Sequence, residues 1–295
     1  MRPTTQLRAL LHGPAIVQAP GAFNALAARL VERAGFPAVY LTGAGLSYTQ
    51  LAQPDVGLLT ASEMAVQVER MAQAVEIPVI ADMDTGYGNF LNVMQTVRAY
   101  ERAGVAGFHL EDQVLPKRCG HLAGKELVPV DEMVGKLKAA LDTRTDPDLV
   151  VIARTDARSV EGFEAALERA HRYVEAGVDA IFLESPVSDD ELRRAAAELP
   201  VPCLANMVEG GRTPLHSAAE LEAMGYRIVI WPNALTRFLT RQAADFLAGL
   251  RREGSTDAYR DRMYDFVELN ALLGLDDVRD LEARYRAVQE AISAS

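Results

Sequence analysis

The 295-residue sequence predicts an α/β fold, a (β/α)8 TIM-type barrel with extra C-terminal helices. Two observations carry that expectation. A helix-glycine-strand phrase recurs as VERAGFPAVYLTG (31–43), YERAGVAGFHLED (100–112), YVEAGVDAIFLES (173–185) and LEAMGYRIVIWPN (221–233). Each reads as a helix closed by a glycine in the left-handed cap, followed by a short apolar strand. Between these phrases lie further apolar runs of similar length, PAIVQA (14–19), IPVIADMD (77–84), LVVIARTD (149–156) and VPCLANM (201–207). Together these make eight strands. Near-continuous apolar strands alternating with helices pair in parallel with the helices outside, and eight such units can close. A doubly wound open sheet is the alternative, because element order alone does not prove closure. TGAG and TGYG lack the G-x-G-x-x-G spacing of a dinucleotide fold.

In chain order, MRPTTQLRALLHG reads as an amphipathic N-terminal helix. Amphipathic segments at 22–34, 62–75, 91–103, 131–142, 161–176, 189–198, 216–224 and 234–252 supply the outer helices. TDAYRDRMYDFVELNALLG and DDVRDLEARYRAVQEAIS then add helical stretches that a barrel does not require. Their stripes, Tyr259, Met263, Phe266 and Leu269, then Val278, Leu281, Tyr285 and Val288, must bury against this barrel or a neighbouring subunit. The expected division is a catalytic barrel over 1–255 and a helical extension for oligomer packing over 256–295.

Apolar residues form 49% of the chain and charged residues 24%, the profile of a globular protein with a sizeable core. A net charge of -11 argues against nonspecific binding to nucleic acid or anionic membranes. No window approaches the ~18 uninterrupted apolar residues of a membrane span, and the N-terminus shows no small-residue cleavage site. Cys119 and Cys203 are too few for a disulfide framework, so a reduced, cytoplasmic setting is expected.

In a barrel of this kind, reactive side chains project from the carboxyl ends of the strands. Those ends carry Thr42 and Gly43, Asp82 and Asp84, His109, Glu111 and Asp112, Arg154 and Asp156, Glu184, Asn206, and Asn233. Alternation along the strand puts Asp82 with Asp84 and His109 with Glu111 on one face, with Phe108 and Leu110 turned toward the helices. Crowded carboxylates either take up protons or surround a cation. All-oxygen donors favour a hard ion, Mg2+ with several waters or Mn2+ in its place. For any single acid, a solvated strand end or a salt bridge to Arg154 is the competing reading.

Cys203 sits in an apolar strand and reads as a buried small hydrophobe. Cys119 follows Lys117 and Arg118 in a polar loop, where positive charge raises the thiolate fraction, against the alternative of a merely exposed cysteine. The length of that loop, QVLPKRCGHLAGKEL, suits an active-site lid.

The strings DMD (82–84), HLED (109–112), KRCGH (117–121), ARTDA (153–157) and LANM (204–207) resemble the isocitrate lyase and phosphoenolpyruvate mutase superfamily over essentially the whole chain. The size is similar to the branch of 2-methylisocitrate lyases, 2,3-dimethylmalate lyases and carboxyphosphonoenolpyruvate mutases. The resemblance implies Mg2+ held by Asp82 and Asp84, with Asp55, Glu111 and His109 around it. It implies substrate contacts from Thr42, Gly43 and Ala44 as an anion nest, from Lys117, Arg118, Gly120 and His121 in the loop, and from Arg154, Glu184 and Asn206. Arg237 is expected at a distal carboxylate, Cys119 as the proton carrier and Tyr40 as the initial base. The implied reaction is carbon-carbon cleavage of a substituted 2-hydroxy di- or tricarboxylate to a 2-oxo acid, pyruvate or glyoxylate, and a carboxylic acid such as succinate. Carbon-phosphorus mutase chemistry and oxaloacetate decarboxylation or hydrolysis are the alternatives, since the metal site is shared. The implied assembly is a homotetramer whose paired subunits exchange C-terminal helices. TGAGLSY, CGHLAGKEL and NMVEGGRTP are closer to the dimethylmalate lyase and carboxyphosphonoenolpyruvate mutase types than to 2-methylisocitrate lyases.

Overall fold

The computed structural model describes residues 1–120, 122 and 124–293. The chain forms two compact units, Met1–Arg237 and Phe238–Ser295. In the first, helix α1 (Pro3–His12) precedes an alternation of β1 (Val17–Ala22), α2 (Ala25–Arg33), β2 (Val39–Leu41), a short α3 (Gly43–Leu46) and a π-helical turn (Ser47–Leu51). It continues with α4 (Ala61–Ala72), β3 (Val79–Asp82), α5 (Phe90–Arg102), β4 (Gly107–Glu111), α6 (Val130–Thr143), β5 (Val150–Thr155) and α7 (Phe163–Glu175). Then follow β6 (Ala180–Leu183), α8 (Asp189–Glu198), β7 (Leu204–Asn206), α9 (Ala218–Met224) and β8 (Ile228–Trp231), while α10 (Ala234–Glu253) begins in the first unit and continues into the second.

All strand pairs are parallel, in the order β6-β5-β4-β3-β2-β1-β8-β7. A parallel bridge between Ile181 and Cys203 joins the two outer strands, which makes the sheet a nearly closed barrel and rules out the open alternative. Three of the helices begin on reciprocal capping boxes, formed by Thr60 and Glu63, Asn89 and Asn92, and Ser217 and Glu220. The glycine of each recurring phrase, Gly35, Gly104, Gly177 and Gly225, has φ between 86° and 104°, as a left-handed cap requires.

The strands sort their side chains by alternation. Tyr40, Ile80, Ile152, Phe182 and Ile230 fill the barrel, while Phe108 and Leu110 pack outward under the helices. Leu7 and Leu11 of α1 join the interior cluster. Arg8 pairs with Asp179 at 2.8 Å and Thr4 bonds Asp146 at 2.7 Å, both acids lying just before strands, so α1 stoppers the amino-terminal end. The opposite end is left for chemistry.

β1 departs from the expected 14–19. It runs from Val17 to Ala22 because Pro20 and Gly21 stay in register with Trp231 and Tyr40. Gly21 is required there: a Cβ would lie 2.0 Å from the Pro232 carbonyl oxygen. Gly21→Ala is expected to cost about 3 kcal/mol, since backbone must move to admit the methyl; a urea midpoint within error of wild type would refute this.

In the second unit, the first C-terminal stretch is only partly helical. A 3-10 turn (Asp257–Arg262) precedes α11 (Phe266–Leu272), which starts where Asp265 and Glu268 make a capping box, and α12 follows (Leu275–Ser293). Large apolar side chains stand exposed on both, with Phe266 at 84% and Tyr285 at 63%. No helix among the described residues is long and apolar enough to cross a membrane.

Candidate active site

The site forms at the carboxyl ends of the strands. β3 ends at Asp82, and the turn beyond it holds Asp84 in the left-handed region at φ 45°, where the Asp84 N–H donates to Asp82 Oδ1 at 3.0 Å. Gly43 brings the backbone after β2 against this carboxylate, since a Cβ there would lie 2.6 Å from Asp82 Oδ2. Lys117 reaches in from the loop after β4. Its Nζ is 2.7 Å from Asp55 Oδ1 and 2.8 Å from Asp84 Oδ1, and all of these groups are buried.

β5 delivers Arg154 into a nest of carboxylates. Nε donates to Asp156 Oδ2 at 3.0 Å and Nη2 to Asp156 Oδ1 at 3.3 Å. Glu111 Oε2 lies 3.2 Å from Nε and Glu184 Oε2 lies 3.6 Å from Nη2. Because Nε–H is aimed at Asp156, the contact with Glu111 is electrostatic, and neither Glu111 oxygen accepts a hydrogen bond among the described residues. The guanidinium also stands 4.9 Å over the Phe182 ring. Asn206 Nδ2 donates to Glu184 Oε2 at 3.0 Å.

Crowding sets the ionisation. Burial raises the Asp82 carboxyl, but His109, Lys117 and Arg154 outweigh it and hold the group at about 2. Burial, with Asp82 and Asp55 nearby, pushes Asp84 up to about 7 against the pull of Lys117. Burial also drives Glu111 well above the carboxylate range. It lowers His109 to about 4, so the imidazole is neutral at neutral pH and Lys117 and Arg154 supply the positive charge beside Asp82. The Tyr40 hydroxyl lies 2.7 Å from His109 Nε2. Burial raises that phenol well above its ordinary value, so Tyr40 keeps its proton at neutral pH and its hydroxyl shares one hydrogen bond with Nε2, whose direction follows the imidazole tautomer.

Tyr40, Thr42, Ala44, Asp55, Asp82, Cys119, Gly120, Arg154, Glu184 and Asn206 line one small cavity of about 40 Å³, with Val208, Ile230 and Pro232 as apolar walls. Gly43, Asp84, His109, Glu111 and Lys117 stand behind that lining, in contact with it through Asp82, Asp55, Tyr40 and Arg154. The loop that carries Cys119 is zipped at its base, where Val114 N–H donates to the Glu126 carbonyl at 2.8 Å and Val128 N–H to that of Asp112 at 2.9 Å. The Gln113 side chain clamps both the N–H and the carbonyl of Arg118 at 2.9 Å, and Cys119 N–H donates to the Asp55 carbonyl at 3.2 Å.

Of the expected substrate contacts, Gly43 and Lys117 lie behind the lining, and Arg118 and Arg237 are not brought to the cavity. The Arg118 guanidinium lies against Gly124. Arg237 is half-exposed and its Nη1 donates to the Glu209 carbonyl at 2.6 Å. His121 lies outside the described residues. Sequence reasoning missed Lys125, whose Nζ is 3.0 Å from Asp156 Oδ1, and the Gln113 clamp. Nothing in GKEL or LEDQ separates such residues from solvated loop positions. A more open groove along α4, between Leu46, Leu59 and Val66, has Glu63 as its one charged lining group, and that carboxylate is spent capping α4.

The donor set fits a hard divalent ion that keeps waters. Asp55, Asp82, Asp84 and Glu111 offer only oxygen, Glu111 holds two buried acceptors without donors, and the Lys117 ammonium shows that two of these acids converge on positive charge. Among the described residues, no group of three or more histidine, cysteine, aspartate or glutamate side chains is arranged to hold a metal ion as it stands.

The chain is 50% identical to the 2,3-dimethylmalate lyase of Eubacterium barkeri, over 97% of this chain and 99% of that one. It is 44% identical to the 2-methylisocitrate lyase of Aeropyrum pernix, over 97% and 92%. Among solved structures, a 2,3-dimethylmalate lyase in its trigonal crystal form matches with a TM-score of 0.91 at 39% identity, covering 97% of this chain and 96% of that one. A phosphonopyruvate hydrolase in complex with oxalate and Mg2+ matches at 0.87 and 34%, covering 97% and 99%. Residues 7–250, which include every barrel strand, match the phosphoenolpyruvate phosphomutase family. Fold, strand-end acids and comparisons therefore agree, and the chain belongs to the phosphoenolpyruvate phosphomutase family.

Proposed function

We propose that the protein is a cytoplasmic, Mg2+-dependent carbon-carbon lyase. Its substrate is a substituted 2-hydroxy di- or tricarboxylate of the 2,3-dimethylmalate or 2-methylisocitrate type. The products are a 2-oxo acid, pyruvate or glyoxylate, and a carboxylic acid such as succinate. The carrying observation is that Cys119 lines the same cavity as Tyr40, Asp82 and Arg154.

A divalent ion held by Asp82, Asp84, Asp55 and Glu111, partly through waters, would supply Lewis-acid polarisation of the substrate's hydroxyl and carboxylate oxygens. The rest falls to the chain. Arg154 offers a planar fork to the carboxylate of the 2-oxo acid end, with Thr42, Ala44 and Asn206 orienting it. Tyr40 takes the hydroxyl proton while passing its own to His109 Nε2, 2.7 Å away. As C2–O becomes a carbonyl, the C2–C3 electron pair leaves on C3. Cys119 gives its thiol proton to that carbon, and exchange with solvent returns the His109 proton to the thiolate. The exposed apolar faces of α11 and α12 support packing between copies in a homotetramer.

The test is a panel of 2,3-dimethylmalate, 2-methylisocitrate, isocitrate, oxaloacetate and phosphonopyruvate, read by 2-oxo acid release and phosphorus NMR. Release from a hydroxy acid is expected, lost in EDTA and restored by Mg2+ or Mn2+. A phosphorus shift with no release from any hydroxy acid overturns the reading.

A further inference from the structure

Lys125 takes no part in the steps above, yet its side chain is 2% exposed. A lysine ordinarily keeps its ammonium in water, and burying it is costly unless it is paired and hydrogen-bonded. Here it is both. Nζ is 3.0 Å from Asp156 Oδ1 and also donates to the carbonyl of Gly120. Asp156 is fully buried and accepts both N–H groups of the Arg154 fork, while its own N–H donates to Asp112 Oδ1 at 2.9 Å. Asp112 is in turn held by Thr155 Oγ1 at 2.7 Å and by the Tyr173 hydroxyl at 2.8 Å, so the carboxylate that Lys125 meets is fixed to the barrel.

Gly120 follows Cys119 and is pressed on the same group. A Cβ at Gly120 would lie 2.7 Å from Arg154 Nη2 and 2.7 Å from Glu184 Cγ. One ammonium therefore touches the backbone beside the thiol and the carboxylate that orients the guanidinium. The charge balance points the same way. Arg154 alone faces Asp156, Glu111 and Glu184, which together would hold it inward; a second cation at Asp156 relieves that pull.

We propose that Lys125 is a positioning residue that fixes Cys119 against Arg154 and shares the charge of Asp156, leaving the guanidinium able to turn to a substrate carboxylate. This rests on the roles given above to Cys119 and Arg154. Lys125→Met removes the ammonium at similar length. With Mg2+ and oxalate present, iodoacetamide is expected to label Cys119 on the order of ten-fold faster in this variant. Cys203, buried at 3% exposure, stays silent. The kcat for 2-oxo acid release is expected to fall about 30-fold with KM within about 3-fold, because a misplaced proton donor harms the transition state more than binding. Lys125→Arg keeps the charge and is expected to recover most of the protection. Wild-type labelling and kcat in a folded Lys125→Met protein overturn the proposal. Should that variant not fold, Asp156→Asn is read identically, faster labelling supporting the proposal and wild-type labelling overturning it. Labelling needs no turnover, so a protein that shows the labelling change without lyase activity has the wrong reaction assigned, not the wrong positioning residue.

Discussion

Cys119→Ser is expected to lower kcat and kcat/KM together by about 10³-fold, a loss of about 4 kcal/mol in transition-state stabilisation. Serine keeps the shape and a hydrogen, but its hydroxyl is a far weaker acid than a thiol and cannot release a proton to a forming carbanion at a useful rate. The side chain lines the cavity with Arg154 and Asp82, so its loss is felt at the reacting atoms and not in the core. Mg2+ affinity, followed by protection against thermal unfolding, is expected to be unchanged, because Asp82, Asp84 and Glu111 hang on other elements. Cys203→Ala provides the control. That thiol is pushed up to about 12 by burial and packs against the barrel wall, so its replacement affects stability and leaves turnover alone. A Cys119→Ser protein turning over within about 3-fold of wild type would show that the thiol does not carry the proton.

What the sequence revealed about this arrangement was governed by the range of the forces involved. The barrel was legible because its signals are local: a glycine after each of four helices and an apolar run after each glycine are written within about a dozen residues. Asp82, Asp84, Glu111, Arg154 and Glu184 were legible for the same reason, since strand-end position follows from the strand. β1 was misplaced because Pro20 and Gly21 are held in the strand by pairing with Trp231, more than 200 residues away, and with Tyr40, contacts that the local apolar run does not contain. The π-helical turn at Ser47–Leu51 left no periodicity to read.

The charge network shows the same division. Nothing near Lys125 marks it as buried; its partner Asp156 lies 31 positions on. Lys117 was expected at the substrate, yet its ammonium is held between Asp55 and Asp84, a pairing that only the fold of the loop over the barrel can create. Arg237 carries the opposite lesson. A family motif fixed its place in the chain, but the guanidinium is engaged by Glu209, outside the cavity. Motifs locate residues on elements. Electrostatic competition among neighbours then decides which atoms face the ligand.

That competition is most acute at Arg154, where Arg154→Gln is expected to cost about 3 kcal/mol of stability as well as most of the activity. The guanidinium is buried and faces Asp156, Glu111 and Glu184, and among the described residues Lys125 is the one other cation paired with Asp156. Removing it leaves those acids with one cation fewer in a site that water reaches poorly, the situation in which breaking a buried pair is most damaging. Glutamine can donate one hydrogen bond to Asp156 but brings no charge and no fork. The kcat/KM is therefore expected to drop by about 10³-fold or more, since the carboxylate clamp and the alignment of Glu184 fail together. Arg154→Lys separates charge from geometry. It restores a cation to the nest, so its urea midpoint is expected to recover at least half of the loss. Its single ammonium cannot bond Asp156 twice and still present a planar pair of donors to the substrate, so activity is expected to remain about 10²-fold down. If Lys restored activity as fully as stability, Arg154 would be acting as a point charge, and the fork would have no part in holding the substrate.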